Sequence, residues 1–105
     1  MPYLIQTRDH IENSGMRETL RNEHRAHLAD YGDLILASGA ILADDGDTII
    51  GGMTILDTDN RAEAENFAAS DPYAVAGLHV HTMVVRWRKR WWDGDFLPLT
   101  APEKP

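Results

Sequence analysis

Between Leu20 and Ile35 the apolar and aromatic residues fall three and four apart, which commits this stretch to a helix with one buried face. Read in order, that face is Leu20, His24, His27, Leu28, Tyr31, Leu34 and Ile35. Two imidazoles therefore point toward an interior that is otherwise apolar. A buried imidazole must find hydrogen-bond partners or give up its charge, so a polar group has to meet it there. The best placed is Asp71, which opens the string Asp71-Pro72-Tyr73 far downstream. A carboxylate bonded to one ring nitrogen of His27 fixes the tautomer and leaves the other nitrogen as a base. No nucleophile accompanies such a pair, so it suits proton abstraction and return, as in isomerisation or elimination. The competing account is a core histidine satisfied by a nearby carboxylate.

The rest of the chain supplies strands around two helices. Residues 3–8 are apolar and partly alternating, as a first strand requires, and 9–15 are polar loop with Ser14 as a helix N-cap. The first helix is expected over about 16–37, with Gly32 as a weak point. Residues 40–43 read as a short strand, 44–47 as a hairpin turn and 48–57 as the partner strand, in which Gly51-Gly52 marks a bulge or a close backbone approach. Asn60 and Glu63 have the spacing of a capping box, opening a helix whose apolar face is Ala64, Phe67 and Ala68. Asp71-Pro72 ends that helix, because proline disfavours a helical residue before it. Residues 78–87 are the last strand.

The order β-α-β-β-α-β predicts an α+β, ferredoxin-like fold, an antiparallel sheet with two helices on one face. The other sheet face is left apolar, and pairing two sheets into a homodimer or a larger assembly is the economical cover. The domain is expected over 1–95, with 96–105 as a C-terminal arm or tail.

Composition narrows the chemistry. With no cysteine, disulfides, thiolate metal sites and a cysteine nucleophile are all excluded. A formal net charge of −7 argues against general nucleic-acid binding, which needs a basic surface. Four basic residues nevertheless crowd into Arg86-Trp87-Arg88-Lys89-Arg90, followed by Trp91-Trp92. Basic residues interleaved with aromatics also make single-strand clamps. In so acidic a chain, a terminal strand whose tryptophans pack at a subunit contact is the better reading. No apolar run approaches a membrane span and no signal peptide is visible, so cytoplasmic residence is the expectation.

Two further groups bear on a site. His79 and His81 stand at the spacing that puts two side chains on one strand face, which is a metal pair or two pocket-lining groups. Two histidines rarely suffice, and a third ligand would have to be His24, His27 or Asp71. The expectation is therefore no metal, with one of the pair lining a pocket to hydrogen-bond a substrate oxygen. Arg17 and Arg21 lie about a turn apart near His24, where Arg21 is placed to hold a carboxylate or phenolate oxygen.

Four elements occur in an order that carries a resemblance: Arg25-Ala26-His27-Leu28, Ser38-Gly39-Ala40, Gly52 in the third strand, and Asp71-Pro72-Tyr73-Ala74-Val75-Ala76-Gly77. Together they resemble the YciI-like family, related in fold to muconolactone isomerase and the dimeric α/β-barrel proteins, over residues 3–87. The resemblance implies a ferredoxin-like dimer whose catalytic pair maps onto His27 and Asp71. It also implies a cofactor-independent lyase or isomerase of aromatic catabolism, with dehydrochlorination of a chlorinated hydroxyhydroquinone as the concrete activity. Tyr73 or Ser38 would then contact ring oxygens, and His81 would line the same pocket. The chain departs from the family where Ser38-Gly39-Ala40 replaces Ala-Gly-Pro, which alters the pocket rim. A non-enzymatic ligand-binding or accessory module is the alternative.

Overall fold

The computed structural model describes residues 1–99. Tyr3, Ile5 and Thr7 alternate with Leu4, Gln6 and Arg8, and this period of two gives strand β1 (Tyr3–Asp9) one face toward the helices and one away from them. β1 is central. It pairs antiparallel with β3 (Ile49–Leu56) on one side and β4 (His79–Arg86) on the other. β2 (Ile35–Leu42) adds antiparallel to the outer edge of β3, giving the order β2-β3-β1-β4. The fold is the expected ferredoxin-like α+β arrangement.

The first helix is shorter than its periodicity predicts. It runs as α1 (Met16–Thr19) and α2 (Arg21–Asp30), separated at Leu20, where φ −105° and ψ 12° leave the helical region. Tyr31 adopts the same angles, a 3-10 turn follows over Gly32–Leu34, and β2 begins at Ile35. The apolar run Leu34-Ile35-Leu36 satisfies a helix or a strand by pattern alone, and pairing of Ile35 with Leu56 settles it as strand. The strand expected over 40–43 therefore extends back by five residues. Gly51 confirms the close approach: a Cβ there would lie 2.1 Å from the Thr7 carbonyl oxygen.

Helix α3 (Arg61–Ser70) starts where Asn60 accepts from the amides of Ala62 and Glu63. Its small residues Ala64 and Ala68 let it lie close on the sheet. With Phe67 they join Tyr3, Ile5 and Leu56 in the core, and Leu28, Tyr31 and Val84 pack around them. Asp71 ends α3 and at once caps a four-residue helix α4 (Pro72–Val75), with Pro72 at its first position. The expected stop at Asp71-Pro72 is thus also a start.

One irregularity in β4 governs the site. Arg8 pairs with His81 and Asp9 with His79, so Val80 is an extra residue, a β-bulge. Directly opposed residues share a face, which puts His79 with Asp9 and Thr7 toward the helices and His81 with Arg8 on the far face. The two histidines therefore do not share a face, contrary to the i, i+2 reading.

Beyond β4, β5 (Trp91–Trp92) and β6 (Asp95–Phe96) form a small hairpin around Asp93 and Gly94, both at positive φ. Arg86 lies over the Tyr3 ring, Lys89 over Trp92 and Arg90 over Phe96, so the basic run is engaged with aromatic faces of its own chain. The expected arm at 96–105 falls outside the described residues from 100 onward. Among the described residues no helix is long and apolar enough to cross a membrane.

Candidate functional site

Asp71 is fixed by its capping role. Its Oδ1 accepts the Tyr73 backbone N–H at 2.9 Å, which aims the carboxylate back toward α2. The imidazole that meets it belongs to His24: Nδ1 lies 2.9 Å from the same Oδ1. A carboxylate only accepts, so Nδ1 carries the proton and, in the neutral ring, Nε2 keeps a free lone pair. Burial pushes the Asp71 carboxyl up, but the His24 hydrogen bond, the Tyr73 amide and the neighbouring His24 and His27 imidazoles outweigh it, and the net displacement is downward. The pair is therefore a carboxylate and an oriented imidazole.

The predicted partner, His27, is engaged elsewhere. Its Nε2–H donates to the Phe67 carbonyl at 2.9 Å, in the last turn of α3, where helix carbonyls run out of intrahelical partners. Its ring stacks on Phe67 at 5.1 Å between centroids. One helical turn separates His24 from His27, and Asp71 lies level with the earlier turn. His24 stood on the predicted face; its missing signal was the cap, because Asp before Pro at a helix start fixes where the carboxylate points.

Tyr73, buried at 4% exposure, stacks its ring on His24 at 4.2 Å and 18°. Its hydroxyl donates to the Arg17 carbonyl at 2.9 Å, so that proton is committed inside the protein rather than to a ring oxygen. Burial raises the phenol above its ordinary value against the opposing pull of the Arg17 guanidinium, and it stays neutral. Tyr73 thus positions His24 from one side while Asp71 holds it from another.

These groups open on a cavity of about 400 Å³ between α2, α3 and the sheet, lined by His24, Asp71, Tyr73, Arg17, Arg25 and His79 among others. That volume suits a single-ring ligand. Ser38 lines it, with Oγ 2.8 Å from Thr54 Oγ1. One of these hydroxyls must donate to the other, which leaves the acceptor's own proton free for a ligand. Arg21 is exposed and does not line the cavity, and Arg17 and Arg25 line it instead. The break at Leu20 resets the helical frame between Arg17 and Arg21. His81 is exposed on the far face, and of the two histidines it is His79 that lines the cavity.

Arg17 braces the floor of the cavity. Its guanidinium meets Asp9 at 2.6 and 3.1 Å and lies over the Tyr73 ring at 5.0 Å. The Asp9 side chain is only 3% exposed, so the cation is what makes its burial tolerable. Among the described residues no three His, Asp or Glu side chains converge as a metal site.

A family model described as a YCII-related domain matches residues 1–88. A solved structure of 5-chloro-2-hydroxyhydroquinone dehydrochlorinase (TftG) from Burkholderia phenoliruptrix AC1100, in complex with 2,5-dihydroxybenzoquinone, is similar to this chain at 27% identity and a TM-score of 0.76. The match covers 84% of this chain and 94% of that one. No curated protein matches by sequence.

Proposed function

The chain belongs to the YCII-related domain family, and on that premise we propose that it is a small-molecule lyase or isomerase of aromatic catabolism whose His24–Asp71 pair moves protons on a hydroxylated ring. The observation that carries this reading is the 2.9 Å contact between His24 Nδ1 and Asp71 Oδ1 at the wall of a ring-sized cavity. The likeness to a dehydrochlorinase whose structure holds a dihydroxylated quinone supports an aromatic substrate.

The concrete reaction is loss of HCl from 5-chloro-2-hydroxyhydroquinone. A ring hydroxyl proton is transferred to the carbon bearing chlorine, giving the ketone tautomer. Removal of the para hydroxyl proton then forms a second carbonyl, shifts the ring double bond and expels chloride with the bonding pair. The product is a hydroxyquinone. The two electrons lost by the ring leave on chloride, so the balance closes without an external oxidant. His24 Nε2 is the proton acceptor, Asp71 holds and stabilises the imidazolium, and Ser38 or Thr54 donates to a developing ketone oxygen.

The test is anaerobic incubation with 5-chloro-2-hydroxyhydroquinone, following chloride release and quinone absorbance. His24→Ala and Asp71→Asn are expected to lower kcat by about 10²-fold or more, the range of lost general-base catalysis. Folded variants that turn over at the wild-type rate would refute the assignment. Binding without turnover in the wild-type protein would favour the accessory-module reading.

The same proposal includes a homodimer. Leu4, Ile55, Ala37 and Val85 share the sheet face opposite the helices, as their pairing register requires. Val85→Lys would place a charge on that face and is expected to yield monomer in sedimentation velocity.

A further inference from the structure

We propose that His79 is a second hydrogen-bond acceptor for the substrate, taking the ring hydroxyl opposite the one that His24 serves. The inference rests on the reading of the cavity as an aromatic-substrate site, and it adds a residue to which that reading gives no part.

The His79 side chain is only 7% exposed, yet it makes no hydrogen bond within the described residues. Its Nδ1 is fully buried and unpartnered, and its Nε2 stops 4.0 Å from Asp9 Oδ1, beyond hydrogen-bond reach. Asp9 has no need of it, since Arg17 already meets both carboxylate oxygens. Nearly all buried polar side-chain atoms in folded proteins are paired, and an orphan in a cavity wall marks a group kept for a ligand. Burial holds the His79 imidazole below its ordinary value, against the opposing pull of Asp71 and Asp9, so the ring is neutral and offers one acceptor nitrogen.

Placement agrees with this. The bulge at Val80 turns His79 into the cavity. Tyr73 stands between the two imidazoles, stacked on His24 at 4.2 Å and edge-on to His79 at 6.5 Å. The two imidazoles thus both contact Tyr73, His24 against its face and His79 against its edge. That arrangement suits a ring with two separated hydroxyl donors rather than one.

The test uses hydroquinone and phenol as probes, which differ by one hydroxyl. Titrated calorimetrically under anaerobic conditions, wild-type protein is expected to bind hydroquinone about tenfold more tightly than phenol, the worth of one added hydrogen bond. In His79→Phe the two affinities should converge to within about twofold, whereas a purely structural role would weaken both equally and keep the ratio. His79→Leu carries the same expectation should the larger ring disturb folding, with circular dichroism as the check. An unchanged ratio in either folded variant, or no ratio in the wild type, overturns the His79 assignment alone. Failure of both probes to bind the wild type overturns the aromatic-substrate reading along with it.

Discussion

Replacing Arg17 with methionine isolates the cost of the buried Asp9 carboxylate. Methionine keeps most of the aliphatic volume and removes both hydrogen bonds, at 2.6 and 3.1 Å, and the cation over Tyr73. A carboxylate 3% exposed then has two outcomes. It stays charged and unpaired, at about 3–5 kcal/mol, or it takes up a proton. Protonating an ordinary carboxyl group at pH 7 costs about 4 kcal/mol, which caps the penalty near the same figure. The lost contact with Tyr73 adds about 0.5–1 kcal/mol. A total of about 5 kcal/mol corresponds to a fall in Tm of roughly 20–40 °C for a domain of this size. Because the cap is a protonation cost, the penalty should shrink by about 1.4 kcal/mol for each pH unit below 7. Urea unfolding of Arg17→Met, Asp9→Asn and the double variant at pH 7 and pH 5 measures both quantities. The double variant is expected to recover at least half of the single-variant loss. A loss under about 1 kcal/mol, additive with Asp9→Asn and independent of pH, would refute the reasoning.

Three other outcomes are expected. His27→Leu removes the bond to the Phe67 carbonyl and should cost about 1–2 kcal/mol in urea unfolding while leaving kcat within a few-fold, the converse of His24→Ala. Gly51→Ala drives a Cβ against the Thr7 carbonyl at 2.1 Å in the middle of the sheet and should destabilise by about 3 kcal/mol or lose soluble expression. His79 is held below 6.5 in the fold, so as pH falls below 6.5 the unfolded chain takes up a proton that the native state refuses. Stability therefore declines with falling pH in that window, then levels once the native imidazole titrates. His79→Phe abolishes that decline, and both curves fall again below about 3.8 as Asp71, displaced downward in the fold, is protonated.

Much of the fold was legible because its signals are local. The capping residue Asn60, the alternation in β1 and the paired glycines each act over a few residues and were read correctly. The end of the first helix was not, since Leu34-Ile35-Leu36 suits either element and only the β2–β3 pairing decides. The site followed the same division. Asp71 was found, yet its partner was placed one turn too far along, because the cap that orients the carboxylate was read only as a helix stop. His79 and His81 were placed on one face because alternation assumes an unbroken strand, and the bulge separates them; the choice of His81 over His79 came from the family resemblance. Asp93-Gly94, a plain turn signal between Trp92 and Asp95, was overlooked beside the more conspicuous basic run.

The unpaired Val80 has a consequence beyond the placement of one histidine. A strand without it would carry a single parity from end to end, so any insertion near the cavity would invert the apolar face at the other end. With it, the residues on either side answer to separate demands. Met83 and Val85 hold their alternation against β1, while His79 takes its direction from Asp9 and the cavity. Removing Val80 would therefore alter which way His79 faces without shifting the alternation of Met83 and Val85 against β1.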